Sequence, residues 1–269
     1  MLALLLAGLS KVRSASRQVE SKNKLRQMGV AFQQIEIKPR QKNDDSIGGG
    51  SVFTDLLPYL ELSDGSGNLL SSPDQFYLSS VDPSVLALQH NNGFPQPGQP
   101  SSAPHQSQKA KGTSSYCVNS IICNECRTVQ DISDGSSNTI LFSERYANCA
   151  ANAVLWSLKS SICIDGHTNA IIPCANTDRR ATFADKMYTD ILPTRDGGGP
   201  LSIGTPRNSL FQVQPSVYNC DMNLVQSLTS DGLAVAMADG SVRVIRPSID
   251  PSIYWSAVTP RGGEAVPLD

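Results

Sequence analysis

The chain opens on an unbroken apolar run, Leu2-Ala3-Leu4-Leu5-Leu6-Ala7-Gly8-Leu9, and passes without punctuation into a basic amphipathic stretch. Beyond Leu5 and Leu9, apolar residues stand at Val12, Ala15, Val19, Leu25, Met28, Phe32 and Ile35, with Lys11, Arg13, Arg17, Lys22, Lys24 and Arg26 between them. Steps of three, four and seven predict a single helix with one apolar face. The first proline is Pro39, and Lys42-Asn43-Asp44-Asp45 and Gly48-Gly49-Gly50 then punctuate a chain leaving a helix. A helix from Leu2 to Ile37 would reach roughly 50 Å, more than a domain of this size needs to cover its own core. Its first half is therefore expected to contact something other than the head.

Farther along, the pattern changes from helical to extended. Thr139-Ile140-Leu141-Phe142-Ser143-Glu144 is rich in β-formers and follows the turn residues Asp134-Gly135. Leu233, Val235 and Met237 alternate with alanines, and Asp239-Gly240 then leads into Ser241-Val242-Arg243-Val244-Ile245. An Asp-Gly pair between two such runs predicts a tight hairpin with a type I′ turn. Asp250-Pro251 offers an N-cap followed by proline at the first helical position, predicting a short helix through Ile253, Trp255 and Val258. The tract Gln89 to Gly112, with four prolines among Asn, Gln and Ser, reads as an exposed loop, and Arg195 to Arg207 as a second turn-rich tract. The expected class is α+β: a long N-terminal helix over residues 1–38 packed on an antiparallel β-sheet head over 39–269, with long loops.

Composition agrees with an ordered head: 39% hydrophobic and 17% charged residues over 269 positions suffice for a core. A net charge of -2 provides no electrostatic footprint for nucleic acid, which is discounted as a partner. The leading apolar run is about half of the roughly 20 residues that a membrane span requires. Six basic residues against Glu20 nevertheless suit a helix emerging from an anionic membrane surface. Met1 is thus expected to fall inside a longer hydrophobic helix, with membrane attachment through the part upstream.

Candidate chemistry is sparse. Seven cysteines, Cys117, Cys123, Cys126, Cys149, Cys163, Cys174 and Cys220, fit disulfide stapling of an exported, loop-rich head, with connectivity open. Cys123-Asn124-Glu125-Cys126 with Cys163 and His167 does not have the spacing of a standard zinc finger, and no βαβ context makes it a redox motif. No nucleophile elbow, P-loop or His-Glu-x-x-His is present, and His90 and His105 fall in the proline-rich loop. Asp131, Asp134 and Glu144, and Asp221, Asp231 and Asp239, could offer oxygen ligands to Ca²⁺, although Asp before Gly is what such turns prefer anyway. No metal or other cofactor is assigned. Trp156, Trp255, Tyr146, Tyr188 and Tyr218 are the aromatics available for stacking a sugar, with core packing the commoner use of such residues.

Several segments, in order, resemble one family. Leu2 to Arg13 looks like the second half of a prepilin-type helix, and Asn23 to Ala31 is similar to its continuation. Ser51 to Glu61, with Leu56-Leu57-Pro58-Tyr59-Leu60-Glu61, is similar to a further segment, and Asp82-Pro83 stands where the family often has an aspartate-proline motif. Asp131 to Ile140, with Asp134, Gly135 and Asn138, and Ala238-Asp239-Gly240-Ser241-Val242-Arg243 resemble its two signature turns. The resemblance is to the planctomycete-type DUF1559 proteins, which are themselves similar to type II secretion pseudopilins. The chain departs from the pattern at Ser79, where a cysteine is usual, at Thr229, where many members have histidine, and in lacking the glycine-phenylalanine cleavage site. The resemblance implies a pilin-like fold and a non-enzymatic subunit of an envelope secretion or pilus-type filament, anchored in the inner membrane or extracellular. Its assembly helix, with Leu5, Leu9, Val12, Ala15, Val19, Met28, Phe32 and Ile35, would pack partly on the head and partly on the helices of other pilin-like subunits. The competing expectation is a monomeric envelope module that binds a polysaccharide or small ligand on a pilin scaffold. A secreted hydrolase with a triad drawn from distant residues is a third.

Overall fold

The computed structural model describes residues 2–35, 52–62, 73–85, 112–126, 128–150, 152–157, 162–164, 171–173, 179–185, 205–206 and 208–263. The tract expected as a loop from Gln89 lies outside them as far as residue 111, as do most of Arg195 to Arg207, all three histidines, Cys174 and Tyr188.

The helices are α1 (Leu2–Phe32), α2 (Val52–Leu56), α3 (Pro73–Tyr77), α4 (Ser120–Glu125) and α5 (Pro251–Val258). The strands are β1 (Tyr116–Asn119), β2 (Ile140–Glu144), β3 (Asn148–Cys149), β4 (Asn152–Leu155), β5 (Ile162–Ile164), β6 (Ile171–Pro173), β7 (Arg179–Arg180), β8 (Thr182–Phe183), β9 (Gln212–Val213), β10 (Gln226–Ser227), β11 (Leu233–Met237) and β12 (Val242–Ile245). The central sheet runs β12-β11-β2-β1-β8. Its first four strands are antiparallel neighbours, but β8 joins β1 in parallel, as β7 joins β4 and β9 joins β10. The head is therefore mixed rather than antiparallel. Two-residue strands have no periodicity to read, and a parallel partner arrives from far along the chain, so neither signal is local.

Strand β11 explains how the layers assemble. Leu233, Val235 and Met237 join Tyr254, Trp255 and Val258 of α5 in one core, whereas Ala234, Ala236 and Ala238 face the other core, with Leu25, Met28 and Phe32 of α1. Alternation thus puts bulk on one face and methyl groups on the other. The methyl face lets the backbone of α1 approach: a Cβ on Gly29 would stand 3.0 Å from the Gly240 Cα and 3.7 Å from the Ala236 Cβ. Asp250 caps α5 as expected, accepting the Ser252 N–H at 2.8 Å, with Pro251 at the helix start.

Two more expectations change. The hairpin joins β11 to β12, but its turn is not type I′: Gly240 is at φ +83° and Asp239 is not among the positive-φ residues. The Gly240 N–H donates to the Met237 carbonyl and the Met237 N–H to the Ser241 carbonyl, closing a three-residue loop with glycine in the left-handed position. In α1, the six-residue step from Val19 to Leu25 turns the helix by about 240°, so the apolar residues form two stripes instead of one face. Leu25, Met28 and Phe32 are buried on the sheet and Ile35 packs beside them, while Leu9, Val12, Ala15 and Val19 are exposed. The helix ends at Phe32.

Candidate functional site

Two joints fasten the second half of α1 to the head. At the first, Ser21 is buried, and its hydroxyl pairs with the Tyr116 hydroxyl at 2.9 Å and accepts from the Ser79 hydroxyl at 2.9 Å. The Ser79 N–H in turn donates to the Ser115 Oγ at 3.0 Å. Asp82 ends the chain of contacts as a fully buried acceptor. Its carboxylate takes the Ser84 N–H at 2.8 Å, the Ser84 hydroxyl at 2.7 Å, the Ser115 hydroxyl at 2.7 Å and the Ala147 N–H at 2.8 Å. Burial raises its pKa and the four donors oppose that rise. On the rim of the joint, the Lys24 ammonium donates to the Leu78 carbonyl at 2.9 Å and meets Glu20 at 3.1 Å. That lysine, with Ser80, holds the Glu20 carboxyl below its ordinary range.

The second joint is built from the two signature turns. The Ala238 N–H donates to the Thr139 carbonyl at 2.9 Å and the Asp239 N–H to the Ser136 carbonyl at 3.0 Å, so the turns lie back to back. Gly240 then meets α1 at Gly29 and Val30, and Gln33 donates to the Ala238 carbonyl at 3.4 Å. Gly135 holds φ +94°, and the Asn138 side chain donates to the Asp134 carbonyl at 3.0 Å. The Asp134 carboxylate is occupied by the N–H groups of Gly262 at 2.7 Å and Gly263 at 3.0 Å. These oxygens brace backbone, which is the structural use of Asp in such turns.

Beside the first joint, a cavity separates α1 from the segment before β11, lined by Gln18, Ser21, Lys22, Glu144, Thr229 and Asp231. The buried Glu144 accepts the N–H groups of Leu228 at 3.0 Å and Ala234 at 3.1 Å through one oxygen. Burial pushes its pKa up to about 8. Cys117 is buried, and its thiol is pushed up to about 12, so it is not a ready nucleophile.

Past the first joint α1 leaves the head. Leu9, Val12 and Val19 are exposed at 51%, 67% and 57%. Lys11, Arg13 and Arg17 are exposed among them. Leu5 lies on the same helix, its side chain outside the described residues. No helix among the described residues is long and apolar enough to cross a membrane.

Residues 71–252 match the family described as "Protein of unknown function (DUF1559)". The chain belongs to the DUF1559 family. No curated protein and no solved structure matches it. The matched span holds Asp82 and both signature turns, so the head's side of both joints lies within it. Sequence reading marked Asp82-Pro83 as a motif but missed Asp82 as the hub of a buried network. The signal was there: an aspartate set between Ser79, Ser80 and Ser84 has hydroxyl donors within reach.

Other candidates fall differently. Cys149 and Cys220 form a disulfide that ties β3 to the segment before β10. Cys123 and Cys126 lie at the end of α4, and the side chains of Cys163 and His167, their suggested zinc partners, are outside the described residues. Among the described residues no group of three His, Cys, Asp or Glu could hold a metal. Tyr146 is buried beside the disulfide and Trp255 in the α5 core, Trp156 is partly buried, and Tyr218 is exposed.

Proposed function

We propose that this DUF1559 chain is a non-enzymatic, pseudopilin-like structural subunit of a cell-envelope filament of the secretion or pilus type, with a pilin-like architecture and α1 as its assembly element. One observation carries the reading: a single unbroken helix changes environment near Ser21, its buried stripe of Leu25, Met28 and Phe32 seated on the head while Leu9, Val12, Ala15 and Val19 stand exposed. A helix that only capped the domain would have no use for Leu9, Val12 and Val19 in water. Covering such side chains between subunits stabilises assembly by about 1 to 2 kcal/mol each. Heads would then decorate the outside of the filament.

The test is Val12→Asp and Val19→Asp, each at an exposed site. Sheared envelope fractions of the parent should contain the protein in filaments by electron microscopy and mass spectrometry, and both variants should lose them while the head keeps its melting temperature. Filaments that persist in both variants, or a head that unfolds in them, would overturn the proposal.

A further inference from the structure

The partner surface for the free half of α1 can be sought by charge. The chain has 22 Lys and Arg against 24 Asp and Glu, and α1 takes six of the bases and one acid, leaving 16 bases against 23 acids elsewhere. Two such helices side by side would repel, whereas a helix laid on the acidic remainder of another copy would be attracted. A suitable patch lies among the described residues of the head. Phe53, Leu56 and Leu57 face inward, and the same turn presents Asp55, Tyr59 and Glu61 to solvent, with Tyr59 at 45% exposure. An exposed ring between two carboxylates matches the exposed row of Leu9, Arg13 and Arg17, spaced four apart along one side of the helix, since guanidinium groups stack on tyrosine and pair with carboxylates.

The placement is polar along the molecule. Phe53 of α2 and Phe32 at the end of α1 both meet Phe142 edge-on, at 6.0 and 5.9 Å, so the patch lies at the opposite end of α1 from its free half. Two different surfaces at opposite ends make a heterologous, head-to-tail contact, which propagates into a filament when the rotation between copies does not close a ring. We infer that residues 9–20 of one copy dock on the Asp55, Tyr59 and Glu61 surface of a second copy. This rests on the filament reading and names its contact.

A charge exchange tests it. Arg13→Glu with Arg17→Glu reverses the helix, and Asp55→Lys with Glu61→Lys reverses the patch. Sedimentation at low salt should show each double variant associating more than tenfold more weakly than the parent, and an equimolar mixture of the two recovering parental assembly, because only unlike copies are then complementary. Failure of the mixture to recover, with both heads still folded and the parent still filamentous, overturns this contact and leaves the filament reading standing. A parent that stays monomeric at every salt concentration overturns both. Binding of the parent and the patch variant alike to phosphatidylglycerol vesicles, without self-association, makes an anionic membrane the occupant and overturns the contact.

Discussion

Replacing Glu144 by Gln should flatten the pH dependence of the head's stability. The carboxyl is fully buried on β2 and accepts two backbone N–H groups through Oε1, which the amide oxygen of glutamine can also do. Burial raises its pKa from 4.5 to about 8, so between those values the folded chain holds a proton that the unfolded chain has released. Stability falls with rising pH wherever the folded state binds more protons, at about 1.4 kcal/mol per pH unit while the difference is complete. Integrated from pH 5 to pH 7 with the folded group at about 8, the loss is about 2.5 kcal/mol. Stability contributed by the neutral carboxyl is therefore full below pH 4.5 and gone once the pH has passed about 8. Asp82 shifts in the same direction, so the comparison is made on the difference between parent and variant. Urea unfolding at half-unit steps across this range measures it. Parent and Glu144→Gln curves that run parallel would refute the assignment of the raised pKa to this residue.

Three further outcomes follow, two from the joints and one from the buried thiol. Asp82→Ala leaves four donors without their acceptor in a buried site, and at about 1 kcal/mol or more for each orphaned group the loss should exceed about 4 kcal/mol in urea unfolding. Gly29→Val places a branched side chain where a Cβ already stands 3.0 Å from backbone; a net destabilisation of about 1 to 3 kcal/mol is expected, with faster hydrogen exchange in residues 21–32 of α1. Cys117, buried with its thiol raised to about 12, should resist iodoacetamide at pH 8 in the folded protein and react only at the rate of unfolding, as followed by intact mass.

The elements legible in advance were those whose signal is local. Leu2 to Phe32 has no breaker, Asp250-Pro251 carries its own cap, and the alternation of Leu233, Val235 and Met237 with alanine specifies a strand with unlike faces. The turn type was misread because Asp-Gly permits two hairpin loops, and the choice depends on Gly240 having to fit against Gly29 and Val30. Asp82 was underrated because its value lies in Ser115 and Ala147, 33 and 65 residues away.

The sequence by itself determined the long helix, the hairpin, the capped terminal helix and the absence of any familiar catalytic motif, since each depends on spacing within one segment, and family membership, which depends on several such segments in order. Only the tertiary structure decided which apolar stripe of α1 is covered, that β8 enters the sheet in parallel, and that the signature turns serve as the seat of the helix. Those features depend on which surfaces meet. A helical pattern shows where its apolar positions point around the axis, but only the packed sheet decides which of them are covered.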